Sequence, residues 1–88
     1  MKRLLKSTQF KKDIKRYAND SIKMQALLEV MRLLENETPL PERYRPHQLR
    51  GKYKGCMECH VNGDFLLIWI DGDDIMLFRL GSHSELFG

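Results

Sequence analysis

The sequence predicts one α+β domain in the order β-α-α-β-β-β, with two N-terminal helices packed on one face of an antiparallel sheet. Three observations predict it. Apolar residues recur at helical spacing through the first 36 residues. Three strand-length apolar runs follow residue 54, joined by "NG" and "DG", the strongest short-range hairpin signals. Between them lies a stretch with three prolines, too interrupted for regular structure. A chain of 88 residues makes a single domain, 1–88, with a thin core.

The elements follow in order. "KRLLKST" opens with a short apolar stretch that reads as an edge strand. Ser7 or Thr8 then caps a helix through "QFKKDIKRYA", where Phe10, Ile14 and Tyr17 form one apolar stripe. "NDS" interrupts, and Asp20 or Ser21 caps a second helix reaching Asn36. Ile22, Leu27 or Leu28, Met31 and Leu34 carry its apolar side. The tight turn sets the two helices antiparallel. "ETPLPERYRPHQLRGKYKG" is a cation-rich loop, and strands at roughly 55–61, 65–70 and 75–80 complete the sheet.

Register depends on the turns. A two-residue Asp71-Gly72 turn sets Ile70 against Asp73, Ile68 against Ile75 and Asp64 against Arg79, an opposite-charge pair that favours this register. In the same strand phase, residues 79, 81 and 83 share a face, so Arg79 and His83 address one groove. A tight Asn62-Gly63 turn pairs His60 with Phe65 and sends Asp64 to the other face. Their convergence therefore needs a bulge or a wider loop.

No stretch approaches the roughly 20 apolar residues of a membrane span. "MKRLLK" is followed by no leader-like apolar segment, so a cytoplasmic protein with reduced thiols and no membrane association is expected. The net charge of +3 is unevenly spread: residues 1–54 carry +8 and residues 55–88 carry −5. Cations interleaved with Tyr and His in "ERYRPHQLRGKYKG" suit a polyanion.

"CMECH", residues 56–60, has the spacing that attaches a c-type haem. Read as a strand, however, it sends Cys56 and Cys59 to opposite faces, where they embrace neither a porphyrin nor zinc. The thiols read as small apolar residues of the sheet, with no cofactor and no metal expected.

His60 then needs another explanation, together with His47 in the basic loop and His83 after the last strand. All three lie at element ends, where sites are built. Imidazoles near neutral pH suit cleavage of RNA through its own 2′-hydroxyl. One group takes the 2′-OH proton, another protonates the leaving 5′-oxygen, and a cation stabilises the phosphorane, so no metal is required. Arg45, Arg50, Lys52 and Lys54 could hold flanking phosphates, and Phe87 or Tyr53 offers a face for a base.

The stretches "LPERYRPHQLRGKYKG", "ECHVNGDFLLIW" and "LFRLGSHSELFG" resemble the YafQ branch of the RelE/ParE toxin superfamily, across nearly the whole chain. The resemblance implies a RelE-like sandwich and an mRNA interferase, an endoribonuclease toxin acting on the translating ribosome. The family's catalytic histidines fall on His47, His60 and His83, its acid on Asp64, its phosphate-side arginine on Arg79 and its C-terminal aromatic on Phe87. His83 is expected as general acid and His60, His47 or Asp64 as base. Cys56 has no place in the family pattern. The implied partners are mRNA, the ribosome and a RelB/DinJ-like antitoxin, through which alone operator DNA is reached. Two alternatives stay open: a ParE-type gyrase poison, which the histidines and acid argue against, and a non-catalytic RNA-binding module.

Overall fold

The computed structural model describes residues 1–88. Its elements are β1 (Leu4–Lys6), α1 (Thr8–Lys15), α2 (Ser21–Glu35), β2 (His47–Gln48), β3 (Met57–Asn62), β4 (Phe65–Asp71), β5 (Ile75–Gly81) and α3 (His83–Phe87). The sheet order is β1-β5-β4-β3-β2. The α+β class and the two N-terminal helices are as the sequence predicts. The sheet is mixed, because β1 returns parallel to β5 while every other pair is antiparallel. Four short elements lay unread in the sequence: β2 and two 3₁₀ turns (Glu42–Tyr44 and Gly51–Tyr53) inside the cationic loop, and α3 at the C-terminus.

The helix starts follow from their caps. Ser7 Oγ accepts the Phe10 N–H at 2.9 Å, and Asp20 Oδ1 accepts that of Lys23 at 3.1 Å. Phe10, Leu27, Val30 and Leu34 press from the helices onto Cys59, Leu67, Trp69, Leu77 and Leu80. On α2 the buried choice is Leu27; Leu28 and Ile22 face outward. β4 is buried on both faces, which explains its unbroken run "FLLIWI". Leu67 and Trp69 join the helix side, while Leu66 and Ile68 meet Tyr53, Cys56 and Leu86 on the other. Replacing a side chain as enclosed as Leu67 by Ala would cost about 2–5 kcal/mol, a large part of the ~5–15 kcal/mol such a domain has. No helix is long and apolar enough to cross a membrane.

The turns correct the predicted register. Asp71 pairs with Ile75, so the β4–β5 loop is Gly72-Asp73-Asp74 rather than a tight Asp71-Gly72 turn. The acids here are claimed by the N-terminus: Lys2 holds Asp71 at 2.8 Å and Arg3 holds Asp74 at 2.9 Å. A register shift beside Phe78 then sets Arg79 against Ile68, not against Asp64. In the other hairpin a bulge lies between His60 and Asn62, the irregularity that convergence of His60 and Asp64 requires.

β1 covers β5 only at Ile75–Leu77, leaving the rest of that edge open. Helix α1 closes it. Ser7 donates its N–H to the Leu77 carbonyl and its hydroxyl to that of Phe78, and Asp13 accepts the Leu80 N–H at 2.9 Å. A buried carboxylate thus replaces a missing strand.

Candidate active site

Pairing across the sheet sets Glu58 against Ile68 and His60 against Leu66, so both share the face away from α1 and α2. His47, on β2, stands opposite Glu58. Its ring lies 6.3 Å from that of His60. Arg45 adopts a left-handed backbone (φ 49°), uncommon for a side chain of its size, and its carbonyl lies 2.7 Å from His47 Nδ1. On the other side of the ring, Nε2 meets Glu58 Oε1 at 3.0 Å. A carbonyl only accepts, so Nδ1 carries a proton in that contact, while Nε2 faces the Glu58 carboxylate. Both ring nitrogens of His47 are thus occupied by protein groups. His60 differs. Its Nδ1 donates to the Gly63 carbonyl at 3.2 Å, which leaves Nε2 as an unengaged acceptor.

Asp64 lines the same groove as His60, with Arg43, Arg45 and Asn62 on its rim. Its Oδ1 also accepts the backbone N–H of His83 at 2.8 Å. This one carboxylate joins the β3–β4 turn to the first residue of α3, so His60, Asp64 and His83 belong to one continuous surface. The His83 ring packs on Phe87 at 4.9 Å between centroids, and Phe87 is 37% exposed. Strand alternation does not carry His83 to its place, because β5 ends at Gly81 and a helical turn begins.

That turn is held by a capping box, with Ser82 and Glu85 bonding each other's backbone N–H. Glu85 also receives the Tyr17 hydroxyl and pairs with Arg16 at 3.3 Å, docking α3 beside the end of α1. A Cβ at Gly81 would sit 2.8 Å from the Glu85 carboxylate, so any larger residue here must displace the group that caps α3. The Ser82 N–H, then the Tyr17 hydroxyl, hold the Glu85 carboxyl below its usual range, while burial and Glu85 push the Tyr17 phenol up to about 12.

Arg79 is not a free cation. Nε and Nη2 donate to Asp13 at 2.9 and 3.4 Å, and Nη1 donates to the Tyr53 hydroxyl at 3.2 Å. Burial pushes the Asp13 carboxyl up, but the bonds from Arg79, the Leu80 N–H and Gln9 outweigh it and hold it low. Tyr53 is also not the base platform foreseen. It is 6% exposed, its hydroxyl donates to the Leu86 carbonyl at 3.0 Å, and its ring supports Phe87 edge-on. Only Phe87 of the two presents a face. Arg45, Arg50, Lys52 and Lys54 are exposed, and no ion pair of the structure engages them.

Cys56 and Cys59 fall in different apolar clusters on opposite faces of the sheet. "CMECH" therefore gathers no ligand set, and no group of three or more His, Cys, Asp or Glu side chains is placed to hold a metal. Sequence reasoning missed Asp13, Glu58 and Glu85. Each had a signal: Asp13 sits on the apolar stripe of α1, Glu58 lies two residues before His60 on a strand, and "SHSE" is a capping-box spacing.

A mixed five-stranded sheet with two helices on one face, and histidines at the margin of the other, defines a RelE-like toxin sandwich. The sequence matches the family described as "Bacterial toxin of type II toxin-antitoxin system, YafQ" over residues 2–88. It is 40% identical over 84 residues to the mRNA interferase toxin YafQ of Escherichia coli K12, covering 93% of this chain and 91% of that protein. The crystal structure of YafQ from E. coli BL21(DE3) superimposes with a TM-score of 0.91 at 36% identity over the whole of both chains. The toxin in the E. coli DinJ–YafQ toxin–antitoxin complex gives 0.88 at 36% identity, over 99% of this chain and 98% of that one. The chain belongs to the YafQ family of type II toxin–antitoxin toxins.

Proposed function

We propose that this protein is an mRNA interferase, an endoribonuclease that cuts message by attack of the 2′-hydroxyl on the adjacent phosphorus, and that the ribosome presents the message to it. The observation that carries the reading is the junction at Asp64, which joins the His60 groove to His83 beside unpaired cations. His60 is the base, because its Nε2 meets neither a carbonyl nor a carboxylate, whereas both ring nitrogens of His47 do. It removes the 2′-OH proton as the oxygen attacks phosphorus. His83 gives a proton to the departing 5′-oxygen. Asp64 holds the turn that carries His83, and Arg79 stabilises charge on the phosphorane oxygens. The His47–Glu58 pair borders the groove as a shape and charge element. Arg45, Arg50, Lys52 and Lys54 hold flanking phosphates, and Phe87 stacks on a base. The E. coli relative has been solved with DinJ, and we assign this chain a DinJ-like antitoxin through which it reaches operator DNA.

The test is cleavage of message in a purified translation system by wild type and His83→Ala. The reading requires cutting by wild type and its loss in the variant with RNA affinity retained. Equal cutting by both refutes the assignment of His83. Breaks in supercoiled DNA with gyrase, and none in message, would refute the nuclease reading outright.

A further inference from the structure

Asp13 lies on helix α1, which carries none of the groups that move protons, yet it is wholly buried and bound to Arg79. We infer that Asp13 is a positioning residue for the reaction: it fixes the plane of the Arg79 guanidinium so that its remaining N–H groups meet the transferred phosphate. The inference rests on the nuclease reading and deepens it.

The geometry supports this in three ways. Arg79 has five N–H donors; Asp13 takes one from Nε and one from Nη2, and Tyr53 takes one from Nη1. One N–H remains on each terminal nitrogen. A long, rotamer-rich side chain just past a strand irregularity is thus held from two sides, with its unspent donors defined. Second, the carboxylate is itself over-determined. It also accepts the Leu80 N–H at 2.9 Å and Gln9 Nε2 at 3.1 Å, so strand and helix both set its orientation. Third, a buried ion pair is a poor stabiliser relative to apolar residues of the same volume. Closing the β5 edge requires only an acceptor for Leu80, which a neutral amide would supply. The negative charge matters to Arg79.

The chain of contacts also reaches α3. The Tyr53 hydroxyl that accepts from Arg79 donates to the Leu86 carbonyl, and Glu85 is held by Arg16 and Tyr17, three and four residues beyond Asp13. One end of α1 therefore sets both the guanidinium and the turn bearing His83.

The decisive substitution is Asp13→Asn, which keeps the size and an acceptor for Leu80 but removes the charge. Single-turnover RNA cleavage is measured below the melting temperature of each variant, in the Arg79 and Arg79→Ala backgrounds, with Arg79→Lys replacing the latter if it does not fold. Asp13→Asn is expected to lower kcat about 10- to 100-fold with KM unchanged or reduced, since Arg79 keeps its charge but loses its aim. In the second background the same substitution is expected to cost nothing further. In ¹H–¹⁵N spectra the Arg79 Nη2–H that Asp13 Oδ1 accepts is expected to exchange slowly in wild type and fast in Asp13→Asn, where an amide NH2 faces it. Unchanged kcat, or an equal loss in both backgrounds, overturns the inference while leaving the nuclease reading intact. A wild type that cleaves no RNA overturns the nuclease reading and the inference with it, whereas an Nη2–H equally protected in both proteins overturns the inference alone.

Discussion

Tyr53→Phe separates two roles that an aromatic residue in a basic loop can play. In wild type the ring is enclosed by Phe78 and Phe87, with centroids at 6.1 and 5.4 Å, and phenylalanine preserves both contacts. What disappears is one oxygen. It donates to the Leu86 carbonyl at 3.0 Å and accepts from Arg79 at 3.2 Å. The substitution therefore leaves a buried carbonyl and a guanidinium N–H without partners. Each vacated partner costs about 1–3 kcal/mol when water cannot replace it. Arg79 is partly accessible and recovers some of that, so the net loss is about 1–3 kcal/mol rather than twice as much. For a domain of this size each kcal/mol moves the melting temperature by about 4–8 °C, and the fall is on the order of 10 °C. Thermal unfolding followed by far-ultraviolet circular dichroism reads it directly. Were Tyr53 a surface platform for bases, Phe would stack as well as Tyr and stability would not change. An unchanged melting temperature refutes the buried-hydroxyl network, and with it the account of how α3 and Arg79 are tied together.

Cys59, whose thiol burial and then Glu58 push up to about 12, is expected to resist alkylation in the native protein and react only on unfolding, as mass spectrometry after timed labelling would show. The docking of α3 is expected to weaken at both pH extremes. Glu85 contributes above its ordinary value of 4.5 and loses this as pH falls through its depressed one, whereas Tyr17 contributes below 10 and loses this as pH rises towards about 12. Glu85→Gln should flatten the acid limb of a melting-temperature profile, and an unchanged limb would disprove it. Lys52→Ala is expected to weaken RNA binding and reduce the slope of log affinity against log salt by about 0.7, the value for one phosphate contact on a single strand; a slope equal to wild type removes Lys52 from the interface. His60→Ala should lower the single-turnover cleavage rate far more than His47→Gln; the reverse order would make His47 the base.

The helices were legible because their signals are local. Caps at Ser7 and Asp20 and apolar residues at helical spacing lie within a turn or two of one another. The three long strands were legible for the same reason. The register of β4 on β5 was not, because it is decided by residues at the other end of the chain. An Asp-Gly pair prefers a two-residue turn, and an Asp64–Arg79 pairing rewards it. Lys2 and Arg3 on β1 take Asp71 and Asp74 instead, and β1 itself docks along β5. The wider loop that results carries Arg79 away from Asp64. Strand β2 was equally out of reach: its two residues pair with β3 while a proline-rich loop surrounds them.

The same distinction explains the site. Residue types with few structural uses at element ends, the three histidines and Asp64, could be singled out from sequence because their chemistry is rare. Asp13 could not be paired from sequence, although an acid on the apolar stripe beside Phe10 is conspicuous. Its partners, Arg79 and the Leu80 N–H, lie 66 and 67 positions away. A carboxylate on such a stripe is expensive unless something buried neutralises it. Arg79 is the only Lys or Arg after residue 54, and β5 carries it to that edge. Charge asymmetry that first suggests a polyanion thus has a second consequence. The acids of the C-terminal half go mainly to Lys2, Arg3, Arg16 and His47. None of them forms an ion pair with Arg45, Arg50, Lys52 or Lys54, whose charge is therefore open to counter-ions outside the fold.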